Sequence, residues 1–194
     1  MKVVGVGCGP GMLTSEAIRA ISGAGVIYGS RRAIELASEY ISQGAEVHEI
    51  VDFGSLRALP DHAVVLSTGD PMLAGLGYLG GETIPGISSL QVAAARIHLP
   101  IQRISVVTAH GRDHEAAMND TVQEITRGKV VFLVADPDFD IEEMGERLRR
   151  LGEEIQIVLC EKLGYPDERI TSGTPANPPS PKSGMFCLVV GVLE

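Results

Sequence analysis

Residues 5–14 read GVGCGPGMLT, a glycine turn set between an apolar run at 2–6 and a helical pattern at 13–21. A buried strand that ends in glycines and passes at once into a helix, with Thr14 or Ser15 placed to cap it, is the opening unit of an α/β sheet. Such a turn can receive a dinucleotide, a phosphate or another small ligand. No register of the glycines gives G-x-G-x-x-G: counting from Gly5 the last position is Pro10, from Gly7 it is Met12, and from Gly9 it is Thr14. Pro10 also removes a backbone N–H where a pyrophosphate needs a donor. A P-loop is absent too, because the one Gly-Lys pair, Gly128-Lys129, is followed by valine and lacks the upstream glycine.

An ordinary Rossmann-type methyltransferase needs an acidic residue before the glycine loop and another at the end of its second strand. Gly5 stands at the first position, and the second strand, at 26–28, runs into the basic GSRR of 29–32. Small residues are in any case what a tight strand-to-helix turn requires, whatever it binds.

The rest of the chain continues the β/α rhythm. Strand patterns at 26–28, 46–50, 63–68 (AVVLST) and 83–84 alternate with helical patterns at 31–42 and 90–97, the last ended by Pro100. This predicts a parallel sheet with helices on both faces. Beyond Pro100 the rhythm changes to strands at 104–108, 130–135, 155–160 and 185–193, one clear helix at 141–151 and a polar helical stretch at 115–126. The expectation is two α/β domains, residues 1–101 and 102–194, the second built on a mixed sheet. The Pro-rich PANPPSPKSG at 175–184 reads as a loop or hairpin connection before the last strand.

Composition narrows the class. The formal net charge of −9 argues against unspecific nucleic-acid binding, which requires a basic surface. The longest apolar runs are too short to cross a bilayer, and the sequence starts directly with a strand pattern rather than a basic-then-apolar leader. Cys8, Cys160 and Cys187 lack metal-ligand spacing. They read as buried thiols of a cytoplasmic protein, with no metal site and no membrane partner expected.

Two further stretches carry chemistry. STGDPMLAGLG, at 67–77, directly follows a buried strand, where open parallel sheets place their ligands. Its glycines allow close backbone approach, and the Asp70-Pro71 turn offers a carboxylate to hydroxyls or loop amides. IPGISSLQVAAA, at 84–95, sets two hydroxyls at the start of a small-residue helix. One of Ser88 and Ser89 can cap that helix, leaving the other for a ligand.

GCGPG followed by Leu-Thr, then GDP with glycines behind it, then PGISS, in this order and spacing, resembles the tetrapyrrole (corrin/porphyrin) methylase family. VVFLVADP and LCEKLGYPDERITSGT, later in the chain, are similar to the family's later blocks. The resemblance implies a homodimer of two-domain α/β chains that bind S-adenosylmethionine in a cleft between the domains. It implies cofactor contacts at Pro10, Thr68, Gly69, Asp70, Leu73, Ser88, Ser89, Val134 and Leu163. No catalytic side chain is assigned, and Asp70 alone stands as a candidate. GSRR, HGR at 110–112 and EKLGYPDERI at 161–170 are similar to the branch that methylates carbon 5 of a corrin-ring precursor in cobalamin biosynthesis. A larger fused form in that branch carries a further methylating and decarboxylating domain for carbon 15; here that activity is expected on a separate enzyme. Arg31, Arg32, His110 and Arg112 are then the expected donors to substrate carboxylates, with Arg96 and Arg103 read as surface charges. Diphthine synthase and a ribosomal RNA ribose methylase share the fold, and a non-catalytic nucleotide-binding module is the alternative of a different class. The acidic balance and the HGR segment favour the corrinoid.

Overall fold

The computed structural model describes residues 1–152 and 154–193. The chain divides into two compact units, Met1–Ser89 and Leu90–Glu194. The division falls after Ser89, the first residue of helix α3 (Ser89–Arg96), so the rest of this helix and the 3-10 turn Ile101–Arg103 go with the second unit.

The first unit is a five-stranded parallel sheet of β1 (Lys2–Gly5), β2 (Val26–Gly29), β3 (Glu46–Glu49), β4 (Val64–Ser67) and β5 (Glu82–Ile84), in the order β3-β2-β4-β1-β5. The central strands β1 and β4 are nearly continuous apolar runs, as burial on both faces demands, whereas the edge strand β3, EVHE, is exposed throughout. Helices α1 (Ser15–Ser22) and α2 (Arg31–Ala37) begin where side-chain oxygens satisfy first-turn amides: Thr14 accepts from Ala17, and Ser30 from Ala33. Ala17, Ile21, Ala33 and Ala37 pack from these helices onto Val4, Ile27, Val64 and Leu66. The opposite face, with Tyr28 and Val65, is covered by Leu56, Leu76 and Leu79 from two short 3-10 helices, Phe53–Ala58 and Leu76–Leu79.

The second unit carries β6 (Ile104–Thr108), β7 (Val130–Val134), β8 (Gln156–Glu161), β9 (Arg169–Gly173) and β10 (Phe186–Gly191), ordered β6-β7-β10-β8-β9. The sheet is mixed. β6 and β7 are parallel, joined through α4 (His114–Thr126), and the remaining pairs are antiparallel. Asp113 caps α4, and Asp140 caps α5 (Ile141–Leu148), which follows β7. Because β10 runs against both β7 and β8, strands β6, β7 and β8 point the same way and end at one sheet edge.

Strand β9 has no counterpart in the sequence reading. RITSG has too few apolar residues to show a strand period, and it becomes one because β8 offers a free edge that pairs with it from Ile157↔Gly173 to Glu161↔Arg169. The core of this unit includes Met118, Leu133, Met144, Leu148, Leu159 and Leu188. Leu133→Ala removes a fully buried side chain from its centre and is expected to lower stability by about 2–5 kcal/mol. Denaturant unfolding measures this, and a loss below about 1 kcal/mol would show a core able to collapse around the gap.

Candidate functional site

Strands β4, β1 and β5 lie side by side and parallel, so the three motif loops that follow them leave the sheet at one edge. They are bonded to one another through backbone. Gly7 and Gly69 exchange hydrogen bonds, Gly69 N–H to Gly7 oxygen at 2.8 Å and Gly7 N–H to Gly69 oxygen at 3.2 Å. Val6 donates to the Ser67 carbonyl at 2.9 Å, and Cys8 to that of Ile87 at 3.0 Å. Side chains do not fit between the loops. A Cβ on Gly5 would stand 2.5 Å from the Gly86 nitrogen, and one on Gly86 would run into the Gly69 carbonyl oxygen.

Asp70 completes the cross-link. Its Oδ1 accepts from the amide of Met72 at 2.8 Å and its Oδ2 from that of Gly86 at 3.0 Å, tying the GDP turn to the PGISS turn. The carboxylate considered as a catalytic candidate is thus engaged with loop amides on both oxygens. Around it stand half-buried Thr68 and Leu73, buried Gly69 and Ser88, Ser89 as the first residue of α3, and exposed Pro10. The open space beside Gly69, whose nearest atom to a Cβ is the Ser88 Cα at 3.9 Å, is compatible with ligand approach; its φ of +68° also makes the position glycine-dependent for the fold. Arg32, near the start of α2, donates from Nη2 to the Cys8 carbonyl in the glycine turn, while Arg31 is exposed and 3.5 Å from Glu49.

At the corresponding edge of the second sheet, the segments after β6, β7 and β8 carry the remaining residues singled out in the sequence. The Val134 carbonyl accepts from both Ala109 and His110, at 2.8 and 3.0 Å, and the Arg112 amide closes a turn onto the Ala109 carbonyl at 2.9 Å. Gly111, at φ +63°, donates to Asp136 Oδ2 at 3.3 Å. The His114 Nε2 lies 3.1 and 3.2 Å from the two Asp136 oxygens, and its ring packs on buried Phe139. Burial by itself raises the Asp136 carboxyl, but the hydrogen bond from His114 and the amides of Gly111 and Asp138 outweigh it and hold the group below the ordinary carboxylate range. The turn is therefore fixed from beneath, while His110 and Arg112 are exposed and their side chains have no hydrogen-bond or ion-pair partner among the described residues.

Leu163, buried, sits in a turn that follows β8. Buried Glu161 anchors the start of this segment: it pairs with Arg169 and accepts from the amides of Lys182 and Ser183 at 2.6 and 2.8 Å. Asp136, His114, Glu161 and Glu168 escape sequence reasoning as functional residues. The one available signal is an acid placed against an apolar run, as in IVLCE, where burial forces a search for donors. Among the described residues no group of three or more His, Cys, Asp or Glu is placed to hold a metal, and no helix is long and apolar enough to cross a membrane.

The interlock gives a direct expectation. Gly86→Ala must push the PGISS loop off the Gly69 carbonyl and is expected to cost about 1–3 kcal/mol, the usual range for overpacking. Unfolding in denaturant would test it, and wild-type stability would mean that the loops have slack.

Comparison with known proteins follows the same outline. Residues 2–178 match the family described as tetrapyrrole (corrin/porphyrin) methylases. The chain is 28% identical over 190 residues to a precorrin-6Y C(5,15)-methyltransferase [decarboxylating] of Sinorhizobium, an alignment covering 89% of this chain and 44% of that one, so the chain spans less than half of that relative. It is 28% identical over 187 residues to a probable cobalt-precorrin-7 C(5)-methyltransferase of Methanocaldococcus jannaschii, covering 86% of each. The crystal structure of the cobalamin biosynthesis precorrin-6Y methylase of Archaeoglobus fulgidus superposes with a TM-score of 0.77 at 29% identity, over 99% of this chain and 97% of that one.

Proposed function

Because the chain belongs to the tetrapyrrole (corrin/porphyrin) methylase family, we propose that it transfers a methyl group from S-adenosylmethionine to carbon 5 of a corrin-ring precursor in cobalamin biosynthesis. The observation that carries this reading is the similarity to the Methanocaldococcus protein, which covers 86% of each chain; the GSRR, HGR and PDERI segments of this sequence support it. In this reading the chain acts as a homodimer in the cytoplasm.

The three interlocked loops fit the cofactor chemically. They contain no lysine or arginine, and Pro10 has no amide to donate, so they suit a nucleoside with a sulfonium better than a pyrophosphate. Thr68, Ser88 and Ser89 carry hydroxyls, Pro10 and Leu73 apolar surface, and Gly69 allows close backbone approach; Val134 and Leu163 are further proposed contacts. S-adenosylmethionine supplies an electrophilic methyl group, and its transfer is an in-line displacement. The protein's task is then to hold donor and acceptor carbon within roughly 3–3.5 Å and to exclude water, since the displacement itself needs no nucleophilic side chain. Asp70 serves by holding two loops in register. Arg112 and His110, with Arg31 and Arg32, receive the acceptor's carboxylates.

Incubation with methyl-labelled S-adenosylmethionine and a precorrin acceptor should give a product labelled at carbon 5, read by NMR. S-adenosylhomocysteine should bind far more tightly than NAD in calorimetry. Tight cofactor binding without transfer to any corrin precursor would move the protein to another branch of the family; equal affinity for NAD would remove the cofactor assignment.

Arg112→Ala separates acceptor from cofactor. Its unpartnered guanidinium should contribute a charge-assisted hydrogen bond of about 1.5–3 kcal/mol, so acceptor affinity should fall roughly tenfold to a hundredfold. S-adenosylhomocysteine binding should stay unchanged. Equal loss of both ligands, or of neither, in titrations on one preparation would return Arg112 to the solvated surface.

A further inference from the structure

The Leu163 turn, like Ala74 (φ +53°) beside Leu73, holds a conformation that is unfavourable on its own. Lys162 has φ +48°, a left-handed conformation that costs a non-glycine residue, and Gly164 has φ +82°. Such a turn persists where its surroundings over-determine it. Tyr165 donates to the Lys162 carbonyl and Glu168 to that of Tyr165, both at 3.0 Å, which closes the segment on itself, while the Lys162 amide donates to the Met185 carbonyl at 3.0 Å and ties its start to the residue that precedes β10.

A carboxylate links the same turn to helix α3. Glu168 Oε2 accepts from the Gly164 amide at 2.7 Å, and Oε1 accepts from Arg96 Nε at 2.6 Å. Arg96 is the last residue of α3, the helix that opens at Ser89. The Glu168 side chain is 19% exposed and that of Arg96 46%. Burial alone raises the Glu168 carboxyl, but the Gly164 amide and the Arg96 guanidinium outweigh it and keep it ionised. Neighbouring charges are closed into other pairs, Lys162 with Asp167 and Arg169 with Glu161. A half-exposed ion pair is a poor source of stability, so two specific contacts from one carboxylate to two elements call for another role.

We propose that Glu168 is a positioning residue for the cofactor: its carboxylate fixes the turn that carries Leu163 to helix α3. The role rests on the proposed cofactor site, because a turn free to relax would no longer present Leu163 to the ligand. Arg96, which the sequence reading sets among the surface charges, acts through Glu168 in the same device.

Calorimetric titration of S-adenosylhomocysteine into the wild type and into Glu168→Gln, Arg96→Ala and Arg96→Lys tests it. Glu168→Gln and Arg96→Ala should each weaken binding about tenfold, the size expected for one charge-assisted contact, in proteins that unfold within a few degrees of the wild type. Arg96→Lys should retain most of the affinity. The double variant should bind no more weakly than either single one, because both remove one device. Unchanged affinity in folded Glu168→Gln and Arg96→Ala, or losses that add in the double variant, would overturn the role. Should Glu168→Gln fail to fold, the two substitutions of the more exposed Arg96 decide by themselves. A wild-type protein that binds no S-adenosylhomocysteine would instead sink the cofactor assignment, and the positioning role with it.

Discussion

Two reciprocal hydrogen bonds between Gly7 and Gly69 close the gap between the loops that leave β1 and β4, two residues beyond the parallel register that pairs Gly5 with Ser67. The contact is backbone on backbone, and it brings the third loop in as well, since Gly86 packs between Gly5 and the Gly69 carbonyl. Side chains are excluded there by distance, so the glycines that make the motif recognisable are needed before any ligand is considered. The polar groups these loops carry are chiefly backbone, with the hydroxyls of Thr68, buried Ser88 and Ser89 and one engaged carboxylate. A site of this kind selects by shape and by short hydrogen bonds and carries little charge of its own.

Asp70 and Arg32 show how the interlock redistributes roles that residue type alone suggests. The sequence offers the Asp70 carboxylate to hydroxyls or loop amides, and in the structure both of its oxygens accept loop amides, the arrangement that keeps a tight turn rigid. Arg32 reads as a carboxylate receptor, yet one nitrogen of its guanidinium is given to the Cys8 carbonyl. A planar group with five donors can serve a loop carbonyl on one edge and an anion on the other. Binding at one edge would then be felt by the glycine turn.

How much of this was legible in the sequence follows from which interactions are local. The strand–turn–helix units could be read because β1 and β4 are continuous apolar runs and Thr14 and Ser30 cap their helices within three residues. The three motif loops could be read because their glycines are fixed by close approach. Strand β9 could not, since RITSG owes its extended form to a partner strand rather than to its own pattern. The same is true of the acids at 136, 161 and 168, whose donors lie at Gly111 and His114, at Lys182 and Ser183, and at Arg96. Long-range pairing of a buried or half-buried acid leaves no period in the chain.

Charge sets the last constraint. The chain carries a formal net charge of −9, whereas the proposed acceptor, a corrin precursor, is itself rich in carboxylates, so under that reading the overall field would oppose their encounter. Many of the cations are already spent: Lys2 pairs with Glu82, Arg96 with Glu168, Arg127 with Glu124, Arg147 with Glu143, and Arg169 with Glu161. Attraction has to come from the few that are left, acting within a screening length of about 8–10 Å. Arg112 suits the proposed role because its turn is held by the Val134 carbonyl and by Asp136 rather than by its own side chain. Ordering a free arginine costs about 2 kcal/mol in rotamer entropy, and a fixed backbone beneath it keeps that the main ordering cost of the contact. Rigidity under the turn does here what net charge cannot.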